Sequence, residues 1–471
     1  MSGPETSSNE VERATVVETV DEEELYGPSQ ELLQNIKAAL TEADIPQVEA
    51  LIEPLHPADV ADLIEHLDPE ERRLFLEITR HVIEAETISH LEDALREEVV
   101  DQMRPEELAE VVSELDSDDA VEILENLDEA RQQQVLDVIP QDERVALEQG
   151  LTFPEDSAGR LMQRELVAIP LHWTVGETID HLRIAEDLPD DFYSLYVVDR
   201  LYKPIGSVPL SRAMRSPRDT KLTDIMETEL RLVPVDMDQE AVAYLFRQYA
   251  LVSAPVVDPA GRLIGVVTVD DVVRVIDEEA EEDLLAIVGV GDTDFHDPAH
   301  ITAFRRVRWL VVTLVNTLIA SAVISRFEGT IGQFPSLAVL MPITAAMGGN
   351  AGIQVITVTV RALATKDITP SSDIYRIIGK ELLVGFMNAC VFAVILGSLG
   401  ALWFGHIQLG FILAGAMIFN MVWAGFAGTV IPLVMDRLGF DPATGAGPFL
   451  TTTTDCIGFF SFLGLASLFL R

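Results

Sequence analysis

Asp455 lies in GPFLTTTTDCIGFF, an apolar and hydroxyl-rich stretch with no basic residue to neutralise it. If the stretch crosses a membrane, that carboxylate costs about 2.5 to 3.5 kcal/mol on insertion scales unless it faces a wet cavity or a cation. Thr451 falls one turn earlier on the same helical face and Thr452 at the i−3 position, so hydroxyls line the same side. A second irregular segment, MPITAAMGGNAGIQVITVTVRALA, gathers Pro342, Gly348, Gly349 and Gly352 around Asn350 and Gln354. These residues are expected to loosen a helix and free backbone carbonyls, which a membrane tolerates where the backbone is buried in protein or lines a cavity. Close packing of small residues is the competing explanation. Carbonyls, an amide and one carboxylate make an all-oxygen set, which suits a hard cation. A small cation that gives up water reluctantly, such as Mg²⁺, is held by one or two carboxylates with its waters retained.

The elements that must position these residues divide the chain in two. Residues 301–471 hold seven acidic side chains and the first 300 hold 71, so the front carries a net charge of −49 and the back +3. The expectation is an acidic, water-soluble front and a bilayer-embedded back. Five apolar segments, roughly 307–327, 336–363, 374–403, 408–435 and 444–470, are each long enough to span about 30 Å of hydrocarbon as a helix. Arg305, Arg306 and Arg308 precede the first span and Arg361, Lys366, Arg376 and Lys380 flank the second loop, whereas the first and third loops carry Glu328 and His406. The positive-inside rule then places the N-terminal domains in the cytoplasm and the C-terminus outside, in a multi-pass protein of the inner or plasma membrane in contact with lipid. Cys390 and Cys456 both fall in the apolar back, so no extracellular disulfide framework is implied. The strongly acidic front excludes nonspecific nucleic-acid binding and suits cationic partners.

Residues 1–30 read as a disordered acidic tail without a secretory signal. From 31 to 152 the pattern is helical with a beat of 12 residues: Leu55, Leu67, Leu91, Met103, Leu115 and Leu127 recur on it. Two residues after each, Pro57, Pro69, Asp93, Pro105, Ser117 and Glu129 read as helix starts. Short helices stacked into an all-α superhelical N domain follow. Residues 153–222 and 223–269 form a tandem α/β repeat, with LMQRELVAIP (161–170) recurring as IMETELRLVP (225–234) and LYVVDRLYKPIGSVPLSRAM as APVVDPAGRLIGVVTVDDVV. Each copy reads strand, helix, then two strands around a turn, and resembles one half of a cystathionine-β-synthase (CBS) pair. Next comes an acidic connecting helix and linker, 270–300, with Asp270, Asp271, Asp277, Glu278, Glu279, Glu281, Glu282 and Asp283 on neighbouring turns. Like charges at that spacing repel, so a positive partner is expected nearby. The whole is multidomain, ending in an all-α membrane domain of five transmembrane helices, 301–471.

This order of helical repeat, CBS pair, acidic helix and five spans resembles the MgtE family of magnesium channels and transporters over about residues 31–471. FPEDSAGRLM (153–162), GGNAGIQ (348–354), RALATKD (361–367) and the TTTTD ending at Asp455 carry the likeness. The resemblance implies a homodimer with its pore on the two-fold axis, Asp455 of both subunits facing hydrated Mg²⁺, and Gly349, Asn350 and Thr451 beside it. It also implies a gate: cytosolic Mg²⁺ bridges carboxylates of the connecting helix, CBS pair and N domain and closes the pore. Asp271, Glu279, Glu282 and Asp283 match the family's sensing pattern on the connector and Asp441 matches it on the membrane side. Arg274 stands where a sensing acid is often found, and Gly447 and Ile353 replace pore-side polar residues of some members. Ala250 and Leu251 replace residues that some members use near nucleotide, so adenine nucleotide at the CBS pair stays an open partner.

Two other readings compete. One keeps the architecture and changes the cargo to Co²⁺, Mn²⁺ or Ni²⁺, although softer metals favour imidazole or thiolate and no His lies near Asp455. The other is a membrane-anchored CBS nucleotide sensor, which needs no intramembrane carboxylate. No hydrolase, kinase or phosphate-loop motif is present, so the expectation is a protein that is not an enzyme and moves its ion down the electrochemical gradient.

Overall fold

The computed structural model describes residues 27–185, 188, 189, 191–288, 299–366, 368 and 374–470. Most of the expected tail, the linker 289–298 and Asp367 of the RALATKD motif lie outside the described residues. Two compact units meet at Phe153 and Pro154.

The first unit is all-helical, and the 12-residue beat is visible in its boundaries. Helices run Pro57–Glu65, Pro69–Thr79, Asp93–Gln102, Pro105–Glu114, Ser117–Glu125 and Glu129–Leu136. Proline at the first helical position loses no hydrogen bond, because that N–H has no intrahelical acceptor. The carboxylates of Glu71 and Glu107 reach back to accept the N–H of Asp68 and Arg104 at 3.1 and 3.0 Å, and so hold the starts. Leu67 and Leu91 are buried, while Met103, Leu115 and Leu127 pack on the core half-buried. Helix Asp93–Gln102 joins two core patches, giving Val99 to one and Val100 to the other. Buried Arg72 donates to the carbonyls of Ile64 and Leu67, each at 3.1 Å, and to Glu98 at 2.8 Å. Arg131 does the same for Met103 at 2.8 Å. Guanidinium forks thus satisfy helix-end carbonyls that short helices leave open.

The second unit opens with two three-stranded sheets of one design. Strands β1 (Ala168–Pro170), β2 (Ser194–Val198) and β3 (Pro204–Pro209) form the first, and β4 (Val233–Pro234), β5 (Ser253–Val257) and β6 (Leu263–Thr268) the second. In each, the first two strands are parallel, the last two antiparallel, and the register slips at matching places, Val197/Val198 and Val256/Val257. The segments leading into β1 and β4 are exchanged. Gln163 pairs with Val266 of the second sheet and Glu227 with Ser207 of the first. Gly206 and Gly265 permit this, since a Cβ would fall 2.9 Å from the Glu227 carbonyl at one and 2.5 Å from Met162 Sδ at the other. The connector helix, Val269–Val288, continues directly from β6.

Five helices are long and apolar enough to cross a membrane: Ala299–Ser325, Ser336–Ala364, Ile374–Phe404, Ile407–Arg437 and Pro442–Phe469, called here the first to fifth spans. The fourth packs against the second, third and fifth and supplies much of the buried surface. The second span is one continuous helix through Pro342 and the glycines, which corrects the expectation of a loosened backbone. Gly348 and Gly352 serve close packing instead. A Cβ at Gly348 would lie 2.1 Å from Asn420 Nδ2, and one at Gly352 would lie 2.8 Å from Leu450 Cδ2.

Candidate cation pathway and acidic gate

The fifth span begins at Asp441, whose carboxylate accepts the N–H of Ala443 and Thr444, each at 2.9 Å, with Pro442 next in sequence. Thirteen residues of apolar and small side chains then separate this cap from Asp455. Asp455 is half-buried, and its carboxylate makes no hydrogen bond or ion pair with a described residue. The threonines before it turn their protons inward. Thr451 donates to Gly447 O at 3.0 Å, Thr452 to Pro448 O at 2.7 Å and Thr454 to Leu450 O at 3.0 Å. A hydroxyl whose proton is spent on the backbone presents oxygen lone pairs to whatever stands beside it. The exposed Thr451 does so one turn from Asp455.

On the second span Gly349 has open space where a Cβ would point, and Asn350 is exposed. Asn350 lies on the side of that helix away from Gly348 and Gly352, and Gly349 on its flank. Depth follows from the connector helix. Its buried Ala286 clusters with Val360 of the second span and Ala443 of the fifth, so those two ends share one side of the membrane domain. At 1.5 Å per residue, Asp455 lies about 18 Å from Ala443 and Asn350 about 15 Å from Val360 along their helices. The carboxylate and the amide stand at similar depth on partly open faces.

Where the connector meets the spans, negative charge accumulates. Burial first, then the Asp441 carboxylate and Glu279, push Asp283 up to about 6. Glu279 accepts from Gln239 Nε2 at 2.9 Å. Glu240, on the helix Gln239–Tyr249, is raised by burial, opposed by Lys366, and raised further by Glu279, Asp238 and Asp283. A buried anion beside others is the electrostatic setting a cation relieves. Among the described residues, no three His, Cys, Asp or Glu side chains stand close enough to hold a metal ion. Asp271 is placed apart. It is buried, accepts from Thr268 Oγ1 at 2.8 Å and pairs with Arg274 at 3.1 Å, so an internal cation already serves it. Glu282 is exposed on the connector.

Several polar residues within the spans escaped the sequence reading. Asn420, fully buried in the fourth span, donates through Nδ2 to the Thr344 carbonyl at 2.8 Å. Asn316 of the first span donates to Pro448 O at 3.2 Å. Glu381 and Asn388 of the third span, with Gln354, line a cavity of about 120 Å³. Gln354, one turn from Asn350 on the same helix face as expected, also borders the third span. An amide in mid-span was a signal in the sequence, but Glu381 directly follows Lys380 and reads as a cytosolic flank.

These features define a multi-pass membrane protein with a tandem CBS pair and an acidic connector docked on its spans. Family models match it in three places: the MgtE "divalent cation transporter" over residues 341–465, the "MgtE intracellular N domain" over 55–156 and the CBS domain over 222–278. The magnesium transporter MgtE of Bacillus subtilis is 29% identical over 442 residues, covering 94% of this chain and 98% of the relative. That of Thermus thermophilus is 32% identical over 451 residues, covering 94% and 99%. A crystal structure of the cytosolic domain of the Mg²⁺ channel MgtE in complex with ATP is 33% identical, covering 52% of this chain and 99% of that one, with a TM-score of 0.48. The chain belongs to the MgtE family, whose members are transporters.

Proposed function

We propose that this protein imports Mg²⁺ down its electrochemical gradient as a homodimer. Asp455 of both subunits faces the hydrated ion, and Gly349, Asn350 and Thr451 complete an oxygen-lined passage at the same depth. The observation that carries this reading is a mid-span carboxylate without a protein partner, since such a group is costly unless a wet passage or cation serves it. An inside-negative potential favours a divalent ion by about 4.6 kcal/mol per 100 mV, enough to drive uptake. The C-terminus lies outside in this arrangement.

Cytosolic Mg²⁺ is proposed to close the pore by binding carboxylates of the N domain and of the CBS pair, Glu240 among them, together with Glu279, Glu282 and Asp283 of the connector and Asp441, and so holding the connector against the second and fifth spans. The raised Asp283 supports this role. Asp271, paired with Arg274, contributes in this reading only if a cation displaces that guanidinium. The division of labour follows the boundaries 31–152 for the N domain, 153–222 and 223–269 for the CBS domains, 270–300 for the connector and 301–471 for the pore. Adenine nucleotide at the CBS pair would act on the connector, which continues from β6.

The test is ion flux into liposomes holding the purified full-length protein, with Mg²⁺, Ca²⁺, Co²⁺, Mn²⁺ and Ni²⁺ compared. Uptake of Mg²⁺ that Asp455→Asn removes supports the proposal. Faster uptake of Co²⁺, Mn²⁺ or Ni²⁺ than of Mg²⁺ reassigns the cargo, and no flux of any ion favours a sensor.

A further inference from the structure

Asn420 sits where the second, fourth and fifth spans converge, and its side chain is fully buried. Its Nδ2 donates to the Thr344 carbonyl of the second span at 2.8 Å. The same nitrogen lies 2.1 Å from where a Cβ would stand on Gly348 and 2.7 Å from where one would stand on Gly458 of the fifth span. One amide is thus wedged between two helices, each with a glycine at the point of contact. Its Oδ1 is buried and accepts no hydrogen bond from a described residue. Thr344 and Thr454, both fully buried, do not supply one, since each hydroxyl donates within its own helix, to Met341 O at 2.8 Å and to Leu450 O at 3.0 Å.

Packing alone does not call for an asparagine here. An apolar side chain would fill the space without stranding a buried acceptor, and a stranded acceptor costs free energy that lipid cannot return. What the amide adds is register. A hydrogen bond weakens steeply as its angle bends, so the bond to Thr344 holds the second span at one height against the fourth, and the notch at Gly458 holds the fifth. That height matters at the passage. Gly348 is two residues, about 3 Å, from Asn350, and Gly458 is three residues, about 4.5 Å, from Asp455 along their helices. Asn420 bonds to neither group and acts on both through the helices that carry them.

Taking Asp455 as the passage carboxylate, a reading on which this inference rests, we propose that Asn420 is a positioning residue that fixes Gly349 and Asn350 against Asp455 and so sets the spacing of the oxygen-lined passage. Mg²⁺ holds its waters in near-ideal octahedral order, whereas Ca²⁺ takes a larger and more variable shell. A fixed spacing therefore favours Mg²⁺, and loss of the Asn420 amide relaxes that preference.

The test is uptake of Mg²⁺ and of Ca²⁺, at equal concentration, into liposomes holding the full-length wild type, Asn420→Ala or Asn420→Ala/Gly458→Ala. In the double variant the added methyl group occupies space that the amide leaves. Uptake of Ca²⁺ relative to Mg²⁺ should rise about fivefold or more in both variants, the order expected for one lost hydrogen bond. A purely structural Asn420 would instead change the number of working molecules, scaling both fluxes alike, and the refilled contact would restore both. An unchanged ratio in Asn420→Ala, or a return to the wild-type ratio in the double variant, would overturn the proposal. If Asn420→Ala does not assemble, Asn420→Ser, too short to reach Thr344, carries the same comparison. A wild type that moves no Mg²⁺ defeats the passage reading and this inference together. A wild type that moves Mg²⁺ with a ratio indifferent to residue 420 defeats this inference alone.

Discussion

Replacing Asp283 with Asn should favour the closed arrangement when cytosolic Mg²⁺ is absent, although the same change removes a carboxylate that Mg²⁺ would bridge. Burial and the neighbouring Asp441 and Glu279 raise Asp283 from its usual 3.8 to about 6. That rise corresponds to at most about 3 kcal/mol. Asp283 is half-exposed, and solvent screening reduces the figure to about 1 to 1.5 kcal/mol. The sign follows from proton linkage. Between pH 3.8 and about 6 the docked helix binds a proton that the undocked one lacks, so acidification favours docking and raising the pH through about 6 opposes it. At pH 7.5 the ionised carboxylate therefore works against docking, and the neutral Asn does not. The closed-to-open ratio of Asp283→Asn should exceed that of the wild type by about five- to tenfold. The wild type itself should shift in the same direction on acidification to pH 5.5, whereas the variant should respond much less. In millimolar Mg²⁺ the order changes: the variant should respond less steeply to the ion, because the difference in Mg²⁺ affinity between its two states is smaller. Single-channel recording at nominally zero and at raised Mg²⁺ measures both regimes. Equal closed-to-open ratios for wild type and variant at pH 7.5 without Mg²⁺, together with a wild type indifferent to pH, would refute the electrostatic account.

Asp455→Ala should reduce Mg²⁺ uptake into liposomes to near background while the protein still assembles, and uptake equal to wild type would remove Asp455 from the passage. Deleting residues 1–268 should leave the five spans and the connector able to conduct Mg²⁺ but unable to close over the usual Mg²⁺ range. Unaltered closure in patch recordings of that truncation would contradict the division of labour. Gly348→Ala forces its methyl group to within 2.1 Å of Asn420 Nδ2, so we expect a loss of about 1 to 3 kcal/mol of stability as the second and fourth spans shift. Thermal unfolding in detergent reads this out, and an unchanged midpoint would mean that Asn420 moves aside without cost.

Much of the architecture was legible in the sequence because it rests on local, periodic signals. The six helix starts from Pro57 to Glu129 are first helical residues in the structure, since a proline or capping acid acts within one turn of its own position. The tandem repeat predicted two like sheets, and two are found with the same strand order and the same slip in register. Five apolar runs correspond to five long apolar helices whose ends fall within two residues of those expected, except that the first begins eight residues earlier, at Ala299. Asp455 stood out as a charge where the run around it has none.

Tertiary packing decided what the side chains of those elements meet. Gly348 and Gly352 suit a broken helix or a close contact equally well in sequence, and the arrival of Asn420 and Leu450 selects the contact. Gln354 shares a helix face with Asn350 one turn away, and only packing shows that it also reaches the hollow beside Glu381 and Asn388. Asp271 and Asp283 look alike as members of one acidic helix. Folding gives the first an arginine and a threonine, and the second burial beside Asp441, 158 residues further along the chain. Charge, period and hydropathy are properties of short segments and can be read along the chain. Which carboxylate is neutralised and which is left for a cation depends on neighbours brought from distant segments.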